Sequence, residues 1–273
     1  MSQYPTPESY SQTPRPPVVR VSTPTVKPYV TYTLIGLTVF IYLLQLLGPF
    51  VTSSQFLSAL GIHIPGFPSQ GFDIVQAFGI KYGPLIRSGQ IWRLITPVFL
   101  HASILHIGFN MYALFIFGRG IEARFGHLRF LALYFLSGFA GNVLSFILTP
   151  AASLGASTAV FGLLAAEGVF LVQNRALLRE HFRRAIMNII YMAAINLFFG
   201  FTIAGIDNWG HIGGMLGGIL FTWFGGPRWK VEGLYPSLQV VDEREGHGLV
   251  AGTTAVLLFF IPLAALGWIW VVK

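Results

Sequence analysis

The stretch Asn208-Trp209-Gly210-His211-Ile212-Gly213-Gly214-Met215-Leu216-Gly217-Gly218 puts a histidine at the head of an apolar run dense in glycine. Gly213 with Gly217 and Gly214 with Gly218 make two overlapping G-x-x-x-G patterns, the spacing that lets membrane helices approach closely. Gly214 and Gly218 follow His211 at helical spacing and share its face. A second apolar run opens with Gly155-Ala156-Ser157-Thr158-Ala159-Val160-Phe161-Gly162, and a third carries His106 and Asn110, four residues apart on one face. Polar groups at membrane depth are costly and mark candidate functional sites. Close packing of the serine and histidine runs brings the His211 ring towards Ser157.

Composition supports a membrane setting. Hydrophobic residues make up 54% of the chain and charged residues 10%, against roughly 25% charged in soluble domains. The apolar runs repeatedly reach the roughly 20 residues a helix needs to cross a hydrocarbon core. The net charge of +7 falls in short loops between these runs, as membrane orientation requires, so no nucleic-acid partner is expected. The absence of cysteine excludes a disulfide framework, a thiol nucleophile and thiolate-bound zinc. No His-Glu-x-x-His occurs, so neither a metal nor a cofactor is expected.

Residues 1–28, rich in Pro, Ser, Thr, Tyr and Gln, lack the apolar residues to build a core and read as a disordered cytoplasmic tail. Seven spans follow, near 29–50, 95–117, 128–149, 156–173, 185–205, 208–225 and 248–271. The connection from about 51 to 92 contains many turn formers yet stays apolar, and reads as a stretch in the membrane interface. Residues 29–226 form a six-helix core. Residues 227–273 form a polar linker and an appended seventh span. Arg119, Arg124, Arg129, Arg175, Arg183 and Arg184 lie on the side of the tail, and Lys81, Arg87 and Arg93 on the other. The positive-inside rule then places the N-terminus in the cytoplasm and the C-terminus outside, with Ser157, His211 and His106 towards the outer face.

A serine hydroxyl becomes a nucleophile when a neutral histidine takes its proton. At the start of a helix, free N–H groups and the dipole favour an oxyanion. A serine there is also a common helix cap, and a histidine beside G-x-x-x-G can be a packing feature. Amide and imidazole groups such as Asn110 and His106 are oxyanion donors or, equally, interhelical hydrogen-bond partners. Asp207 reads as the N-cap of its helix rather than a third catalytic member. Glu167, about 15 Å below Ser157 at 1.5 Å per residue, reads as paired near the cytoplasmic end. Glu122 reads as a structural partner of Arg119 or Arg124. His63, His127, His181 and His247 read as loop residues without chemistry.

The set His101-Ala-Ser-Ile-Leu-His106-Ile-Gly-Phe-Asn110, Gly155-Ala-Ser157 and Gly210-His211-Ile-Gly-Gly214 closely resembles the rhomboid family of intramembrane serine proteases. Trp92-Arg93 and Gly120-Ile121-Glu122-Ala123-Arg124-Phe125-Gly126 extend the resemblance across roughly residues 30–226. It implies an all-α polytopic membrane protein, a rhomboid-like six-helix bundle with an appended seventh transmembrane helix. By the resemblance Ser157 is the nucleophile and His211 the general base. Asn110, His106 and the Ser157 N–H would form the oxyanion hole. Trp92 and Arg93 would belong to a structured first loop, His101 and Glu122 to the structural motif, and Gly214 and Gly218 to the helix contact. Phe161 is expected against the His211 ring. Thr158 stands where the family most often has glycine.

The activity implied is cofactor-free endoproteolysis of transmembrane protein substrates near the outer face of a membrane, expected to be a bacterial inner membrane, with lipid as the surrounding partner. The competing function is a non-catalytic rhomboid-like protein that binds and escorts membrane clients; such relatives typically lack the serine or the histidine, and both are present here. A small transporter would show broken-helix repeats in two halves, which the sequence lacks.

Overall fold

The computed structural model describes residues 23–62 and 71–269. Most of the expected tail and His63 lie outside them. The chain is built from helices α1 (Tyr29–Val51), α2 (Ser54–Ala59), α3 (Ile74–Gly79), α4 (Gly83–Arg87), α5 (Ile104–Phe125), α6 (His127–Leu148), α7 (Ser157–Gln173), α8 (Arg179–Thr202) and α9 (Asn208–Gly225). An antiparallel hairpin of β1 (Trp229–Glu232) and β2 (Gln239–Asp242) follows, and then α10 (Gly248–Ile269). Among the described residues, five helices are long and apolar enough to cross a membrane: α1, α5, α6, α8 from Phe182, and α10. The shorter apolar α7 has 17 residues.

The span boundaries follow from local chemistry. The second span starts at Ile104, later than the expected 95, because Thr96–Phe99 winds into a 3₁₀ turn around Pro97 and Ser103 then caps the helix, its hydroxyl accepting from the His106 N–H. The fifth begins at Arg179, earlier than expected. The apolar connection after α1 is itself built of short helices. Ser53 and Asp73 cap two of them by accepting from the Phe56 and Gln76 N–H groups. The polar stretch after α9, expected as a linker, folds into the short hairpin. Arg129 and Arg244 tie it down: Arg129 pairs with Asp242, and Arg244 donates to the Trp223 and Gly226 carbonyls.

Near the C-terminal end of α5, Glu122 is buried and its carboxylate accepts from the Val30 and Thr31 N–H groups and the Thr31 hydroxyl, with His127 Nδ1 at 2.6 Å. Its partners are therefore the start of α1 and His127, not Arg119 or Arg124. Arg124 instead pairs with Glu167, donating from Nη1 at 2.9 Å. The end of the segment read as a tail is docked as well, since the Val26 N–H donates to the Ala123 carbonyl.

The centre of the bundle is α9, wedged between α6 and α7. A methyl at Gly214 would sit 2.0 Å from the Thr158 carbonyl oxygen, and one at Gly218 2.1 Å from that of Gly162. On the opposite side, one at Gly213 would lie 2.7 Å from the Ala140 carbonyl oxygen. The glycines let three backbones touch, so the two helices that begin at Ser157 and Asn208 are held at fixed depth and rotation. α10 packs against α6 and α9, and its far end exchanges hydrogen bonds with α4. Arg87 Nε donates to the Gly267 carbonyl, and Trp268 Nε1 donates to the Arg87 carbonyl.

Candidate active site

Gly155 adopts φ +133°, a left-handed backbone that side chains resist. This turns the chain sharply into α7, and the Gly155 N–H donates to the Pro97 carbonyl. Ala156 occupies the N-cap position and makes no side-chain cap. Ser157 therefore does not cap its own helix. Its Oγ lies 2.9 Å from His211 Nε2, across the seam between α7 and α9.

His211 is buried and stacks on Phe161, ring centroids 4.2 Å apart and planes 11° from parallel. Its Nδ1 has no hydrogen-bond partner among the described residues. Asp207 does not supply one. Its carboxylate accepts from the Gly210 N–H at 2.9 Å, capping α9, and from the Ser145 and Thr149 hydroxyls. The arrangement is a Ser–His pair whose imidazole is oriented by aromatic stacking in place of a carboxylate.

His106 approaches from α5. A methyl on Gly155 would lie 2.8 Å from His106 Nε2 and 3.6 Å from Ser157 Oγ, so the imidazole borders the turn that leads into the serine. Asn110 is buried one helical turn further on, with its Nδ2 donating to the His106 carbonyl. His101 is also buried and faces the same turn: its Nε2 accepts from the Ala156 N–H at 3.4 Å, and its ring meets that of His106 edge-on. Gln45 of α1, absent from the sequence reading, holds this segment by accepting from the His101 N–H. An isolated glutamine in an apolar span was the available signal.

The first loop is tightly bonded. Arg93 is buried and donates to the Ile80 and Ala77 carbonyls and to the Gln90 side chain. Trp92 stacks on Phe78 and donates to its carbonyl. Thr158 points away from the Ser157 hydroxyl, into the seam. Its Cβ would lie 2.6 Å from a methyl on Gly141 and its Cγ2 3.1 Å from one on Gly210. Glycines on α6 and α9 thus make the room that a threonine after the serine requires.

Fold and site together define an all-α, multi-pass integral membrane protein with a half-buried serine and a buried histidine paired across a small-residue helix seam. The chain belongs to the rhomboid family, whose domain model matches residues 88–228. It is similar to the "Rhomboid protease GluP" of Bacillus subtilis (strain 168), 44% identical over 151 residues, covering 55% of this chain and 29% of that protein. It is also similar to the "Rhomboid-like protease 1" of Toxoplasma gondii, 39% identical over 163 residues, covering 58% and 55%. The "RHOMBOID-like protein 6, mitochondrial" of Arabidopsis thaliana is 38% identical over 140 residues, covering 51% and 45%. The chain thus matches about half or less of the length of these relatives.

Proposed function

We propose that this rhomboid-family protein is an intramembrane serine endopeptidase that cleaves transmembrane segments of membrane proteins near the outer face. The observation that carries the reading is the 2.9 Å contact between Ser157 Oγ and His211 Nε2. In this reading the neutral imidazole takes the hydroxyl proton as Oγ attacks the scissile carbonyl, then passes it to the leaving amine. The Ser157 N–H at the start of α7, with Asn110 and His106 reoriented towards the substrate, stabilises the oxyanion. Residues 29–226 act as the catalytic core, and residues 227–273 as linker and seventh span. The asymmetry of basic residues supports a cytoplasmic N-terminus.

A peptide bond in a membrane helix is hydrogen-bonded and shielded, so it must unwind before Ser157 reaches it. Glycine or proline near the cut lowers that cost.

The test is labelling of the purified full chain in detergent by a serine-directed fluorophosphonate, with mass spectrometry of the modified peptide. The expected result is a single adduct on Ser157. An unmodified Ser157 in folded protein favours the non-catalytic, client-binding alternative and defeats the protease reading.

Asn110→Ala is expected to slow cleavage of a helical membrane substrate by about 10²–10³, the usual cost of one oxyanion donor, or less where His106 compensates. Fluorophosphonate labelling should persist, since the nucleophile and base remain. Steady-state turnover checks this, and a variant as fast as the parent removes Asn110 from the oxyanion site.

A further inference from the structure

Lys81 has no solvent-exposed surface, a costly position for a cation. Its main chain forms an isolated antiparallel bridge with Ser153, each N–H donating to the other's carbonyl at 3.0 Å. Its ammonium donates to the Thr149 and Ala151 carbonyls at 3.1 and 2.6 Å, at the C-terminal end of α6, where the helix dipole favours a cation. Asp207 sits at the N-terminal end of α9, where the dipole favours an anion.

The two ends are bridged by hydroxyls, since Ser145 and Thr149 of the α6 end both donate to the Asp207 carboxylate. Burial pulls the Lys81 ammonium down to about 8 while the Asp207 charge pulls it up. Burial pushes Asp207 up, but hydrogen bonds from Ser145, Gly210 and Ser153 and the Lys81 charge together hold it below its ordinary value.

Both arms lead to the Ser–His pair. From Ser153 the chain runs through Gly155 into Ser157. From Asp207, whose carbonyl accepts the His211 N–H at 3.1 Å, it runs into the base.

The geometry points to Lys81 and Asp207 as positioning residues that clamp the starts of α7 and α9 to one end of α6 and so set the Ser157–His211 contact. This rests on the protease reading above. Neither charged group hydrogen-bonds to the pair; both are tied to it through backbone and hydroxyls.

The experiment compares the full chain with Lys81→Met, Asp207→Asn and the double variant, purified in detergent. It measures melting temperature, fluorophosphonate labelling rate, and kcat and KM on a quenched fluorogenic polypeptide carrying one apolar helical segment. Lys81→Met should lower kcat and the labelling rate about 10- to 100-fold with KM within about twofold, because a misplaced pair slows chemistry and leaves substrate binding intact. It should also melt lower, since Asp207 loses its counter-charge. The double variant should recover the melting temperature and stay slow.

A folded Lys81→Met as fast as the parent overturns the inference. So does a double variant that regains both stability and rate, and so does failure of all three variants to fold, which makes the charges a requirement of the fold alone. A parent chain that does not label overturns the protease reading first, and the positioning role with it.

Discussion

Ser157→Ala and His211→Ala are each expected to abolish cleavage of a helical membrane substrate while leaving the protein folded. The serine oxygen and the imidazole nitrogen stand 2.9 Å apart, and each is inert in this chemistry without the other. In serine hydrolases, deleting the nucleophile or the base costs about as much as deleting the whole set, roughly six orders of magnitude in one case. The two losses should therefore be similar, and the double variant no worse than either single one. The seam is closed chiefly by glycines and backbone, so Ser157→Ala should melt close to the parent, whereas His211→Ala, which gives up the buried stack on Phe161, should melt lower but still cooperatively. Turnover on a fluorogenic substrate and thermal melts in the same detergent check both halves. Parent-like turnover by Ser157→Ala would falsify the protease reading.

Gly214→Val is expected to destroy the fold and, with it, all activity. Its Cβ would meet the Thr158 carbonyl oxygen at 2.0 Å, and a carbonyl inside a helix cannot swing aside as a flexible side chain can. Overpacking in ordinary cores costs about 1–3 kcal/mol because side chains adjust. Here α7 and α9 must separate, and α9 is already confined by α6 on its other face. The cost then reaches the roughly 5–15 kcal/mol that holds a typical protein together. Aggregation on size-exclusion chromatography and loss of a cooperative melt would show it. A monodisperse, active Gly214→Val protein would mean that the seam is not closed as described. Leu216, on the exposed side of α9, is the control: Leu216→Val should be close to neutral.

Much of the site was legible because its residues carry local signals. Ser157 and His211 each head an apolar helical run, and the glycines after His211 state the packing that joins the runs. Asp207 as an N-cap follows from its place just before the helix, and Phe161 against the imidazole from its place one turn after Ser157. What the sequence hid were partnerships across long separations. Glu122 bonds to the start of α1 some 92 residues away, and no local pattern separates that from the nearby arginines. Lys81 read as one more basic loop residue, although a lone lysine among Phe78, Ile80 and Tyr82 was a hint of burial. The late start of α5 was masked because the 3₁₀ turn before it is as apolar as the helix, so hydropathy runs through the boundary without a step. The hairpin after α9 was missed because its strands are only four residues each, too short for alternation to stand out.

At 17 residues, α7 is about 25 Å long, against roughly 30 Å of hydrocarbon. A helix that ends near one face of the membrane therefore begins several ångströms short of the other. In the orientation proposed above, the shortfall falls at Ser157, at the turn bordered by His101 and His106. Hydrolysis consumes two reactants, and bilayers supply only one of them. On the protease reading proposed above, the missing turn of α7 is the space left for the second, water, and the length of this helix would govern how fast an acylated serine is set free.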